Sequence, residues 1–159
     1  LKFWFTADTH LGHENIISYC RRPFKSLAHM DRELIRRWNE RVAEEDVVYH
    51  LGDFAFGDPQ SHLDQLNGQI ILIRGNHDRR NRVGSLLESA VIRHGGWDIW
   101  MCHEPKAVYK MNFCGHVHNH WRIQRRGPHT IVNVGVDVWG FRPVDINEIS
   151  KALGGVLDV

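Results

Sequence analysis

Five times along this chain a β-rich run breaks off into a short cluster of Asp, Asn or His, and this recurrence constrains the fold more than any other feature. The clusters are Asp8-Thr9-His10, Gly52-Asp53, Gly75-Asn76-His77-Asp78, Cys102-His103 and Gly115-His116-Val117-His118. In layered α/β folds, ligand sites gather beyond the carboxyl ends of strands. Five such endings therefore imply one sheet-based core whose loops meet on one side. The pattern predicts strands at 3–6, 47–51, 70–73, 98–102, 111–114, 121–124 and 130–134. Leu34, Ile35, Trp38 and Val42 recur at helical spacing in a helix expected over 30–42, opened by acidic residues. Shorter helices are expected at 59–66, closed by Asn67-Gly68, and at 147–153; the polar stretch 79–89 offers a short helix around Leu86. Early strands alternate with helices and later ones follow through tight loops, so residues 1–159 read as a single α/β layered domain.

Composition narrows the function. A formal charge of +1 gives no basic field for a nucleic-acid polymer, and no apolar run approaches the roughly 20 residues that cross a bilayer. Cys20, Cys102 and Cys114 are odd in number and lack CxxC spacing, as in a reduced, cytoplasmic protein. The opening Leu1–Phe5 runs straight into a strand without the apolar core of a signal peptide. Twelve histidines are many for this length, and imidazole is both a metal ligand and a proton carrier near neutral pH.

Residues two apart in extended chain point to one side, so Asp8 with His10, and His116 with His118, can each approach one ion. Glycine before Asp53, Asn76 and His116 permits sharp turns or close backbone approach. Carboxylate, amide and imidazole donors without thiolate suit Mn²⁺, Fe or Zn²⁺ better than a cysteine-rich structural zinc site would. Each cluster alone is more often a capped turn; five in one order, each at a strand end, form a joint signal.

The order DxH, GD, GNHD, H, GHxH resembles the signature of the calcineurin-like metallophosphoesterases and spans Asp8 to His118. The flanks at 8–17, 49–57 and 133–139 are similar to a compact bacterial and phage single-domain subgroup. The resemblance implies an α-β-β-α sandwich of two mixed sheets with a metal site at the C-terminal ends of strands. It implies that Asp8, His10, Asp53 and His118 hold one divalent ion, and Asp53, Asn76, His103 and His116 a second, with Asp53 bridging. Manganese is the expected metal, with iron, zinc or nickel as alternatives. His77 falls at the position of the family's acid, which protonates the leaving group or steadies the phosphate. The implied reaction is hydrolysis of a phosphate ester, a small and possible nucleotide substrate, by a metal-bridging hydroxide. After Gly52-Asp53 the chain reads Phe54-Ala55-Phe56-Gly57, without the phosphate-gripping Arg of protein serine/threonine phosphatases. That departure favours a phosphodiester, which has one charge fewer to anchor. A phosphomonoester of a small nucleotide or metabolite is the alternative. A non-catalytic metal-binding scaffold, like the retromer subunit of this fold that has lost activity, is the alternative of another class.

Further residues carry two readings. His13 and Asn15 are phosphate contacts or supports of a ligand, or else a helix-starting turn with Asn15 as its cap. Asp78 orients His77 by accepting its ring proton, or caps a helix. Among Arg74, Arg79 and Arg80, Arg79 is the candidate for gripping phosphate; turn arginines are otherwise solvated. Asn133 and Asp137 brace the site or shape a turn. His50 reads as a satisfied core histidine, and Cys102 and Cys114 as packing residues.

Overall fold

The structure is a computed structural model that describes all 159 residues. Two mixed sheets face each other. The first has the order β3 (Gln69–Leu72), β2 (Val47–His50), β1 (Phe3–Thr6), β9 (Val144–Asp145), with β1, β2 and β3 parallel and β9 antiparallel to β1. The second has the order β4 (Ser89–His94), β5 (Trp97–Cys102), β6 (Met111–Cys114), β8 (His129–Asn133), β7 (Ile123–Arg126). Its central strands β5, β6 and β8 are parallel, and antiparallel strands flank them. This is the layered α/β sandwich of two mixed sheets that the family resemblance implies.

Side-chain alternation along β1 builds the layers. Phe5 points toward the second sheet, where its ring meets Phe113 edge-on at 5.2 Å. The core between the sheets continues through Leu51, Ile73, Ile99, Met101 and Val132, all fully buried. Trp4 points the other way and packs with Val48 against Trp38 and Val42. Trp38 belongs to α2 (Leu27–Asn39), whose buried Met30, Leu34 and Trp38 repeat every fourth residue on one face. Helix α1 (Asn15–Tyr19) contributes Ile16 to a second cluster with Met30, Leu34 and Phe54. Helix α3 (Pro59–Leu63) starts on Asp58, which caps it, and α4 (Ile146–Ala152) starts at a capping box of Asp145 and Glu148. No helix is long and apolar enough to cross a membrane.

The structure corrects several local expectations. Helix α2 begins at Leu27 because Ser26 accepts from the His29 N–H, three residues before the expected start. Asp31 lies inside the helix, and both its oxygens accept from the Gly12 N–H at 3.1 Å. No helix forms at Leu86; the chain stays extended, Leu87 bridges Ile73, and β4 follows. That strand lies at the sheet edge with Val91 exposed, so its hydrophobic alternation is blurred. Strand β7 sits two residues later than expected because it pairs with β8 across a tight turn at Gly127. Asn15 is the first residue of α1, and Glu14 holds the cap position, without a side-chain hydrogen bond to the helix.

The five polar clusters lie at the C-terminal ends of β1, β2, β3, β5 and β6, and the turn bearing Asp137 follows β8. A parallel bridge from Ala7 to Gly135 joins the ends of the two sheets, where Val136 N–H donates to Ala7 O at 3.0 Å. The donor-bearing loops surround this seam.

Candidate metal centre

The loop after β1 leaves extended geometry abruptly: Asp8 and His10 have φ of 56° and 51°. Asp53, His116 and His118 are also left-handed, so five of the eight non-glycine residues at positive φ are expected ligands. Such backbone conformations are costly and cluster where surrounding structure imposes them. Neighbouring glycines make the approach possible. A Cβ on Gly75 would stand 2.2 Å from Asp53 Oδ1, and one on Gly115 would stand 2.8 Å from Asp8 Oδ2.

The seven expected ligands come together. Asp8, His10 and His118 form one group of mutually close donor atoms, and Asp8, Asp53 and His103 form another. Asp53 Oδ2 lies 3.5 Å from His10 Nε2 and 3.3 Å from His103 Nε2, between the two histidines. On the far side, Asn76 Oδ1 lies 2.9 Å from His103 Nε2 and 3.2 Å from His116 Nδ1. His103 Nδ1 donates to the Leu51 carbonyl at 2.7 Å, which turns Nε2 toward Asp53 and Asn76. His118 Nδ1 donates to Asp137 Oδ2 at 3.1 Å, leaving Nε2 for the group with Asp8 and His10.

The donor set fits a divalent cation on observations internal to the structure. Asp8 Oδ1 and His10 Nε2 are buried without any hydrogen-bond partner, an arrangement that protein interiors normally avoid. Around His103, oxygens and ring nitrogens converge with lone pairs facing one another, and only a proton or a cation relieves that. The electrostatics agree. Burial raises Asp8 to about 6. Burial would lower His103, but its hydrogen bond to Asp53 prevails and raises it to about 9. Burial would likewise lower His118, yet the hydrogen bond to Asp137 lifts it to about 10. Burial would raise Asp53, but the His10 and His103 rings beside it and the His77 N–H hold it well below the usual carboxylate range. The cluster thus attracts positive charge at two separate imidazoles.

His77 sits at the rim, its ring 5.6 Å from that of His10, and its backbone N–H donates to Asp53 Oδ1 at 2.9 Å. His13 supports a ligand: its Nδ1 lies 3.0 Å from His10 Nδ1, and its ring stacks on Phe56 at 3.9 Å. Asn15 is exposed at the start of α1, outside the cluster. Arg79 is 75% exposed, 4.0 Å from Glu88, and lines an open cleft beside Asn76 and His103. Arg74 is committed to the Ser85 carbonyl.

Asp78 does not orient His77. It is fully buried, and its carboxylate accepts from the backbone N–H groups of Asp53 (2.8 Å), Phe54 (2.9 Å) and Gly75 (2.6 Å). It therefore ties the loop after β2 to the loop after β3. His50 is a satisfied core histidine, as expected. Gly52 N–H donates to its Nδ1, so Nε2 carries the proton and donates to Thr9 Oγ1, which in turn donates to Phe54 O. Asn133 braces the late loop by donating to the His118 and Trp121 carbonyls, both at 2.9 Å.

Sequence reasoning missed Arg22, which is buried and bonded to Asp137 and to the carbonyls of Asp8 and Thr9. Nothing local announces it: it stands in an Arg-Arg-Pro stretch between two helices, and its carboxylate partner is distant in sequence.

Residues 1–142 match the calcineurin-like phosphoesterase superfamily domain. An uncharacterized protein of Methanocaldococcus jannaschii is 34% identical over 165 residues, covering 96% of this chain and 91% of that one. A solved structure of a protein of unknown function from Aquifex aeolicus is similar with a TM-score of 0.74 at 25% identity, covering 95% and 98% of the two chains. Vps29 of Chaetomium thermophilum shares the fold, with a TM-score of 0.52 at 12% identity, over 82% of this chain and 67% of that one. The chain belongs to the calcineurin-like phosphoesterase superfamily, a superfamily of metal-dependent phosphoesterases.

Proposed function

We propose that this member of the superfamily hydrolyses a phosphodiester at a pair of divalent cations, manganese first among them. The observation that carries the reading is the convergence of seven donors from five loops, two of whose buried atoms, Asp8 Oδ1 and His10 Nε2, have no hydrogen-bond partner. Asp8, His10, His118 and Asp53 would hold one ion, and Asp53, Asn76, His103 and His116 the other. Asp53 suits the shared position because its Oδ2 faces a histidine of each set. When bound, such a pair supplies Lewis acidity, lowering the proton affinity of water and offsetting charge on the phosphoryl oxygens.

The chain's own groups account for the rest. His77 is half-buried at the rim, where its ring can deliver a proton to the departing oxygen, an effect typically worth about 10²–10⁴-fold. His13 fixes the ring of His10, and Asp137 that of His118. The preference for a diester rests on the arginines. Arg22 and Arg74 are spent on carbonyls and carboxylates, and Arg79, at the edge of the cleft beside Asn76 and His103, is exposed and shared with Glu88. None of the three is both free and fixed in place to clamp the second charge of a monoester.

The test loads purified protein with Mn²⁺ and compares bis-nitrophenyl phosphate with nitrophenyl phosphate. Faster cleavage of the diester supports the reading; much faster cleavage of the monoester overturns the preference. No turnover of either, with both ions bound, favours the scaffold.

A further inference from the structure

Three of the expected ligands, Asp8, His10 and His118, sit on two loops far apart in sequence, and one guanidinium touches the support of all three. Arg22 lies between α1 and α2 with its side chain fully buried. Its Nη2 donates to the Asp8 carbonyl at 2.6 Å and its Nη1 to the Thr9 carbonyl at 2.9 Å. These are the peptides that hold Asp8 and His10 in left-handed conformation. Its Nε and Nη2 grip the two oxygens of Asp137 at 2.9 and 3.0 Å, a bidentate pair. Asp137 Oδ2 accepts from His118 Nδ1 at 3.1 Å.

A buried ion pair contributes little net stability, because desolvation offsets the attraction. The geometry gives this pair a different use. A lysine presents a point charge and cannot span two carbonyls and a carboxylate in one plane; the arginine fork can. We infer that Arg22 is the positioning residue of the first ion: by fixing the Asp8–His10 turn and the Asp137–His118 pair together, it sets the ligand geometry at one ion and not at the other. The second group, Asn76, His103 and His116, makes no hydrogen bond to Arg22 or Asp137; it is held through Leu51 O and, at Gly75, the Asp78 carboxylate, and it touches the first group where the His116 N–H donates to Asp8 Oδ2 at 2.8 Å. This inference rests on the two-ion reading above, but its readout is metal binding alone.

The experiment titrates metal-free protein with Mn²⁺ by calorimetry for wild type, Arg22→Met, Arg22→Lys, Asp137→Asn and His118→Ala. Outer supports of metal ligands typically contribute about 10–100-fold in affinity. Arg22→Met and Asp137→Asn should weaken one ion by about that factor, as His118→Ala does, and leave the other within about threefold. Arg22→Lys should fall between wild type and Arg22→Met. Equal weakening of both ions, or of neither, overturns the assignment. Should Arg22→Met fail to fold, Arg22→Lys decides, since it breaks the planar fork and keeps the charge: unchanged affinity for both ions, or equal weakening of both, overturns the assignment. A wild-type protein that binds a single ion sinks the two-ion reading. In that case, loss of the ion in Arg22→Met to the degree seen in His118→Ala supports the positioning role, and unchanged affinity overturns it.

Discussion

Replacing Asp78 by asparagine separates a structural tie from a catalytic relay. The carboxylate is fully buried; Oδ2 accepts from Asp53 N and Gly75 N, and Oδ1 from Phe54 N. An asparagine oxygen can replace Oδ2 and keep two of the three bonds. Its amide then faces the Phe54 N–H, donor against donor. Leaving one buried N–H unsatisfied costs about 1–3 kcal/mol, and hydrogen bonds to a charged group are stronger than neutral ones by up to about 1.5 kcal/mol. Asp78→Asn should therefore destabilise the metal-free protein by about 2–4 kcal/mol, lowering the thermal midpoint by about 5–15 °C at this chain length. Urea unfolding of EDTA-treated wild type and variant measures it. Any loss of Mn²⁺ affinity should follow, because the same carboxylate positions the Asp53 peptide. A stability change below about 0.5 kcal/mol, the size of an ordinary surface substitution, together with a large fall in kcat, would refute this reasoning and restore the role in orienting His77.

His77→Ala should retain both ions and lose about 10²–10⁴-fold in kcat on an ester with a poor leaving group, whereas Asp53→Asn should lose metal; calorimetry beside turnover separates the two. Equal turnover of wild type and His77→Ala on such an ester removes the acid assignment. His103 and His118 have folded pKa values of about 9 and 10 against 6.5 for a free imidazole. Their contribution to metal-free stability is present below pH 6.5 and is lost as pH rises through those values. The urea midpoint of EDTA-treated protein should therefore fall from pH 7 to 9, while Mn²⁺ affinity rises as protons leave. A metal-free midpoint that climbs over that range contradicts the sign.

Much of the centre was legible because its chemistry is local. Gly52, Gly75 and Gly115 precede ligands in sequence and permit their turns in space, and DxH and HxH spacing places donor pairs side by side. What escaped was non-local. Arg22 acquires meaning only through Asp137, and Asp78 through backbone groups of a different loop. Strand β9 is two residues long and exists because β1 offers an edge to it. Strand β4 was obscured because one face meets solvent, so its residues alternate weakly.

The first sheet supplies Asp8, His10, Asp53 and Asn76, and the second supplies His103, His116 and His118. Beyond the Ala7–Gly135 bridge, these halves meet at the mouth where His103 reaches Asp53 and the Leu51 carbonyl and the His116 N–H donates to Asp8. Cations lodged there would act as rivets through the open edge of the sandwich. Stripping them should let that edge breathe while the buried aromatic interior stays shut, so the molecule would lose its chemistry well before it loses its shape.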